Sequence, residues 1–372
     1  MPERSYPVSR PSIGALEAEY VLDAVQSGWI SSIGPYVTRF ESDFAAFCET
    51  RHAVAVSNGT VALHLAMMAY DIGPGDEVIV PDLSFIATAN SVLMAGATPV
   101  FCDIEPETLC LDPAALESLI TPRTKAVMPV HLYGHPADMP AINAVAARHG
   151  LKVIEDAAEA HGAAVLGKPV GGLGDCATFS FYGNKNLTTG EGGMITSDDD
   201  AFIARCRVLR DHAMSPTRRY WHEELGYNYR MTNLQAALGC AQLERSEALL
   251  EGRRRVFAMY RQRLEGVPGL KLSRTAQWAR HAHWLVCVEI EGLDHDRREA
   301  FMDRLRARGI DTRPYFYPMS HMPYLTQAAT PVASRYAQIG LNLPTYIELE
   351  QADIDYICDG LIAETAGLAA LA

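Results

Sequence analysis

The stretch "SFYGNKNLTTGEGGMI" (residues 180–195) sets a single lysine, Lys185, among Gly, Asn and Thr between two strand-like segments, "CATFSF" and "MITS". Glycines let the backbone turn sharply and approach a ligand, and a lysine amine becomes a nucleophile where its charge is made costly. Taken alone, this lysine reads as a solvated loop residue, because most lysines between strands face water. Two other stretches change the balance. In "SNGTVALHL", Ser57, Asn58, Gly59 and Thr60 precede a helix, which aims free backbone N–H groups, a hydroxyl and the helix dipole at an anion. Simple capping by Asn58 and Thr60 is the plainer reading of those residues. In "KVIEDAAEAHG", Glu155 and Asp156 end an almost wholly apolar strand, where an unpaired carboxylate is expensive. Something cationic is therefore expected opposite them.

The elements that must position these groups alternate from about residue 52: strand-like "HAVAVSN", "DEVIVP", "TPVFCDI", "KAVMPVHLYG" and "KVIEDAA" are separated by amphipathic helical segments. That pattern predicts an α/β chain with a mostly parallel sheet covered on both faces, whose ligands sit beyond the carboxyl ends of the strands. A long helical pattern, "MTNLQAALGCAQLERSEALLEGRRRVFAMYRQRL", then leads to a smaller C-terminal α+β domain containing "HWLVCVEI" and "RREAFMDRLRARG". The division is expected at residues 1–250 and 251–372. An anion cradle, a buried acid and a loop lysine, in that order along a parallel sheet, match what pyridoxal 5'-phosphate requires. Its phosphate needs donors, its ring nitrogen a carboxylate and its aldehyde a desolvated lysine.

Bulk properties narrow the partners. The 372 residues carry a formal net charge of -13, which argues against nucleic acid or an anionic membrane surface as the main partner. The first residues, "MPERSYPVSRPSI", lack the apolar core of a signal peptide and no apolar run reaches the length of a membrane span, so a cytoplasmic protein is expected. Eight scattered cysteines without a CxxC pair fit reduced buried thiols, and "HAH" (His281, His283) lacks the further ligands of a metal site.

Several long motifs in order, "GWISSIGPYVTRFE", "GDEVIVPDLSFIATAN", "PVHLYGHPADM", "VIEDAAEAHGA", "FSFYGNKNLTTGEGGM" and "GYNYRMTNLQAAL", give the chain a resemblance to the DegT/StrS-type sugar aminotransferases. The resemblance implies the aspartate-aminotransferase-like fold (fold type I) and transfer of an amino group from glutamate to C4 of a nucleotide-linked 4-keto-6-deoxy sugar. It implies that Lys185 carries the cofactor and shuttles the proton, that Asp156 pairs with the ring nitrogen, and that Phe85 stacks on the ring. Gly59, Thr60 and Ser180 would hold the phosphate, and Glu159 would lie close to the ring. Asn228 in "GYNYR" would reach the phosphate of the neighbouring subunit, which implies a homodimer with composite sites. For Phe85, core packing is the plainer reading of the residue alone. Candidates for the nucleotide sugar are Trp29, Arg218, Arg219, Arg230, Arg313 and Tyr317, the arginines because a pyrophosphate must be met by local cations. Tyr317, in "YFYPMSHMPYL", stands where some members carry a histidine. His161 receives no role.

Three other classes stay in view. A nicotinamide oxidoreductase would need a glycine fingerprint after the first strand, and "GKPVGGLGD" is not placed there. A pyridoxal-dependent sugar dehydratase would carry a histidine at the lysine position, and a non-catalytic nucleotide-sugar sensor or scaffold would not need Lys185, Asp156 and the anion cradle all intact.

Overall fold

The computed structural model describes residues 4–215 and 217–369. Seven strands form the main sheet: β1 (His52–Val56), β2 (Glu77–Pro81), β3 (Thr98–Cys102), β4 (Thr124–Val127), β5 (Lys152–Asp156), β6 (Cys176–Ser180) and β7 (Gly193–Ser197). Their order is β1-β7-β6-β5-β4-β2-β3. Only β7 runs against the rest, pairing antiparallel with both β1 and β6. The apolar runs of β2 and β6 are buried at every position, as strands covered on both faces must be. Helices α1 (Ala15–Gln26), α2 (Pro35–Phe47), α3 (Gly59–Ala69), α4 (Ala87–Met94), α5 (Met139–His149) and α6 (Asp200–Arg210) belong to this layered body. Its core splits into clusters that include Val54, Leu65 and Ile195 in one and Phe40, Phe44 and Phe179 in another.

The expected long helix is two, α7 (Asn233–Glu244) and α8 (Ser246–Leu264), with Arg245 at φ -93° and ψ 2° between them. The hydrogen bonds Arg245 N–H to Ala241 and Leu249 N–H to Arg245 continue across the junction, so the chain bends without losing its ladder. The boundary at 250/251 falls inside α8. The start of that helix buries Leu249 against the large-domain core, and its later turns bury Val256, Tyr260 and Leu264 in the C-terminal cluster.

A second, antiparallel sheet, β8 (Leu270–Leu272), β9 (Val286–Ile290), β10 (Arg313–Pro314) and β11 (Gly340–Leu343), has the order β8-β9-β11-β10. Helices α9 (His295–Ala307), α10 (Pro331–Ile339) and α11 (Gln351–Ala369) complete this part. The N-terminal segment crosses to it: Tyr6 bridges to Ile310 and is buried in the C-terminal cluster, and Thr345 N–H donates to Val8. Among the described residues no helix is long and apolar enough to cross a membrane, and all eight cysteines are free and buried.

Candidate active site

The carboxyl ends of β1, β2, β5 and β6 converge on one cavity of about 990 Å³ whose wall also takes Asp311 and residues 313–317 of the smaller domain. Each group arrives there by a local rule. Asn58 caps α3 by accepting Val61 N–H at 3.0 Å, which occupies its amide and leaves the first-turn N–H groups of Gly59 and Thr60 for something else. The capping reading of "SNGT" holds for Asn58 and not for Thr60, and Asn58, Gly59 and Thr60 all line the cavity. Gly59 is required by crowding, since a Cβ there would sit 2.8 Å from the Ser180 Cβ. Gly193, at the start of β7, lets the Asn58 carbonyl approach to within 2.3 Å of where its own Cβ would lie.

The acidic pair is satisfied differently from expectation. No salt bridge neutralises it among the described residues beyond a His131 contact. Glu155, fully buried, accepts N–H from Gly171, Leu173 and Gly174 and contacts His131 Nε2 at 3.0 Å. Because His131 Nδ1 accepts Ala137 N–H, its proton sits on Nε2 and donates to Glu155. Glu155 thus ties down the 171–174 turn behind the sheet. Asp156 faces the cavity, accepting from Thr88 Oγ1 at 2.8 Å and from Ala158 N–H at 3.2 Å. Burial pushes its carboxyl above the ordinary range, with the two donors opposing.

Lys185 closes a tight turn through its own N–H to the Tyr182 carbonyl, and the loop is anchored by Thr188 Oγ1 to Phe181 and Asn186 Nδ2 to Ala282. Its Nζ lies 3.8 Å from Glu159 Oε1 and 3.9 Å from the centroid of the Trp284 ring, with the side chain 11% exposed. Burial lowers its pKa, favouring the free amine. The same burial pushes Glu159 up to about 7, although Tyr133 N–H donates to its other oxygen at 2.7 Å.

These residues fit pyridoxal phosphate: a helix N-terminus and Ser180 for a phosphate, a buried carboxylate with no cation in salt-bridge contact among the described residues for a ring N–H, and a desolvated amine between them. Phe85 is 54% exposed at the cavity rather than packed in the core, so a large aromatic face stays free for a ring. Arg313 and Tyr317 line the cavity too, Arg313 tied to Asp311 at 2.8 Å.

The remaining candidates lie outside this lining. Asn228 accepts from Arg230 Nε at 3.2 Å, and Arg230 pairs with Asp211 at 2.6 Å. Arg218 and Arg219 are exposed and rest on the Trp221 and Tyr220 rings, 4.1 and 4.9 Å from the centroids. Trp29 is half exposed beyond α1. Sequence reasoning passed over Thr88, Tyr133 and Trp284; only Thr88, one turn after Ser84 in "SFIAT", carried a local hint. His161 is buried among Phe44, Phe179 and Phe181, held neutral with its pKa lowered to about 3 by burial. His281 and His283 stack at 4.1 Å, and no metal-holding cluster occurs among the described residues.

The mixed seven-stranded sheet, the smaller antiparallel domain and a buried lysine opposite a buried aspartate define a fold type I, pyridoxal-phosphate-dependent transferase. The chain belongs to the DegT/DnrJ/EryC1/StrS aminotransferase family, which matches residues 11–362, and it is a pyridoxal-phosphate-dependent aminotransferase. It is 52% identical over 360 residues to the GDP-perosamine synthase of Caulobacter vibrioides, covering 95% of this chain and 96% of that one. The structure of DesI in the presence of its TDP-sugar product matches with TM-score 0.92 and 35% identity, covering 99% of this chain and 95% of that one. The PLP form of the putative sugar aminotransferase Spr1654 from Streptococcus pneumoniae matches with TM-score 0.93 and 26% identity over 98% and 99%.

Proposed function

We propose that this enzyme moves the amino group of glutamate to C4 of GDP-4-keto-6-deoxymannose, giving GDP-perosamine and 2-oxoglutarate in the cytoplasm. The observation that carries the choice of substrate is the 52% identity to a GDP-perosamine synthase along nearly the whole of both chains. Pyridoxal phosphate, when bound, supplies the electron sink that makes the substrate carbon acidic. The rest is the work of side chains. Lys185 would hold the cofactor and, with its charge disfavoured by burial, would move a proton between substrate carbon and cofactor in each half of the reaction, off the glutamate carbon in the first and onto C4 of the sugar in the second. Asp156 keeps the ring nitrogen protonated. Gly59, Thr60 and Ser180 take the phosphate, Phe85 covers the ring, and Glu159 lies at the ring beside Lys185.

Asn228 serves the cofactor of a second copy in a homodimer. Its place outside the cavity of its own protomer supports that reading. So does a row of apolar residues on and after α1 (Leu22, Val25, Trp29, Ile30 and Ile33), each at least 50% exposed. Trp29, Arg218, Arg219 and Arg230 then contribute to the nucleotide-sugar site across that interface, together with Arg313 and Tyr317 of the cavity.

A second reading is amination of a TDP- or UDP-linked 4-keto sugar, and the likeness to DesI, solved with its TDP-sugar product, favours the TDP form of it. Incubation with glutamate and each nucleotide-linked 4-keto-6-deoxy sugar, followed by mass spectrometry, separates them. The expected result is a GDP-amino sugar with equimolar 2-oxoglutarate. Amination of the TDP-linked sugar alone would refute the perosamine assignment.

A further inference from the structure

Arg298, on the first turn of α9, is the largest fully buried side chain of the described residues, at 0% exposure. Its Nη1 donates to the Ala337 carbonyl at the end of α10, and its Nε has no partner among the described residues. The nearest carboxylate is the half-exposed Glu299, 3.5 Å from Nη2. A guanidinium this far from water and this poorly paired is costly, so its remaining contact matters. That contact is Tyr317: Nη2 donates to the phenol oxygen at 2.9 Å. His295 Nε2 lies 3.1 Å from the same oxygen, and the Arg298 guanidinium stands 5.3 Å from the centroid of the Tyr317 ring.

Arginine has donors only, so the phenol oxygen must accept from it and the phenol hydrogen is left for another acceptor. Two are on offer: the exposed His295 ring and a ligand oxygen in the cavity that Tyr317 lines. Tyr317 is 40% exposed at the small-domain side, whereas the Lys185 side chain is 11% exposed at the floor. Glutamate is small and must reach the floor; a nucleotide sugar whose C4 is at Lys185 extends outward past the rim.

Resting on the proposed sugar-aminotransferase function, we propose that Arg298 is a positioning residue that fixes Tyr317 as a hydrogen-bond donor to an oxygen of the nucleotide-sugar acceptor. The pair sets acceptor affinity and leaves the glutamate step untouched. Arg298 also holds the Ala337 carbonyl, so the test must separate the two roles.

Holoenzymes of Tyr317→Phe, Arg298→Met, Arg298→Lys and the Arg298→Met/Tyr317→Phe double variant are compared. The acceptor, GDP- or TDP-linked, is whichever the wild type aminates, so a wrong nucleotide overturns the perosamine assignment and not the role of this pair. Each single variant lacking its partner is expected to raise the acceptor KM, and the calorimetric Kd of the aminated product, by about tenfold, with kcat within about threefold. The double variant should be no worse than Tyr317→Phe, and single-turnover conversion by glutamate should keep its wild-type rate. Arg298→Lys, which keeps the charge and a compact donor group without the planar fork, should fall between. Should Arg298→Met fail to fold, Tyr317→Phe and Arg298→Lys carry the comparison. Wild-type acceptor affinity in Tyr317→Phe, multiplying effects in the double variant, or an equally slowed glutamate step would each overturn the proposal.

Discussion

At the floor of the cavity the side chains of Lys185 and Glu159 are 11% and 4% exposed, and their neighbours come from strand ends locked into a sheet. At the outer segment around Arg218 and Arg219, by contrast, each exposed guanidinium rests against an aromatic ring. The floor changes chemistry: burial shifts Lys185 down and Glu159 up to about 7, so proton positions there are set by the fold. For the outer arginines, solvent screens whatever charge they present, and a contact gains its full strength only when a ligand or a second subunit excludes water. With the proposed function, the difference predicts where substitutions act: at the floor on the reaction itself, at the outer segment on capture of the substrate.

Lys185→Ala should break the floor most completely, lowering transamination by about 10,000-fold while the circular dichroism stays native. Borohydride should then fix no cofactor to the protein, and retained labelling would place the chemistry on another lysine. Asp156→Asn removes the carboxylate proposed to pair with the ring nitrogen and should cost about 100-fold to 1,000-fold in kcat, measured at saturating cofactor.

Gly59→Ala tests the cradle. With its Cβ 2.8 Å from that of Ser180, crowding should cost about 1–3 kcal/mol in stability and weaken cofactor affinity, read by thermal melting and fluorescence titration. For Glu159, the carboxyl at about 7 binds a proton in the folded chain that the unfolded chain, at the ordinary 4.5, has already released. Its contribution to stability is therefore full below about pH 4.5 and lost as pH rises through about 7. Glu159→Gln should flatten that part of the cofactor-free protein's stability curve, and an unchanged slope would assign the proton elsewhere.

The smallest effect is expected at the outer segment: Arg218→Ala with Arg219→Ala should raise the acceptor KM less than about tenfold, more at low salt than at high, with kcat kept. A large loss of kcat there would erase the distinction between floor and outer segment.

Much of the floor was legible because it is built locally. The apolar runs of β5 and β6 announce strands, and the groups at their carboxyl ends, Asp156 and the Lys185 loop, must emerge at the same sheet edge. The partner of the acidic pair was not legible. Glu155 is satisfied by amides of residues 171–174 and by His131, contacts that no cation in the sequence signals. For Phe85 the residue type alone favoured core packing, as for most aromatics, and its 54% exposure at the cavity is something no composition signals.

By itself, then, the sequence determined the alternation of strands and helices, the order of the anion cradle, acid and lysine, and the charge that argues against polyanionic partners. These come from periodicity and neighbouring residues, interactions of short range along the chain. The tertiary structure decided that Trp284, whose indole donates to the Asn184 carbonyl 100 residues away, would place its ring against the Lys185 amine. It also decided that Arg298 would be buried behind Tyr317, and that Asn228, Arg218 and Arg219 would lie outside the lining of the cavity. Desolvation and contacts between distant segments exist only once the layers have packed, which is why no local pattern encodes them.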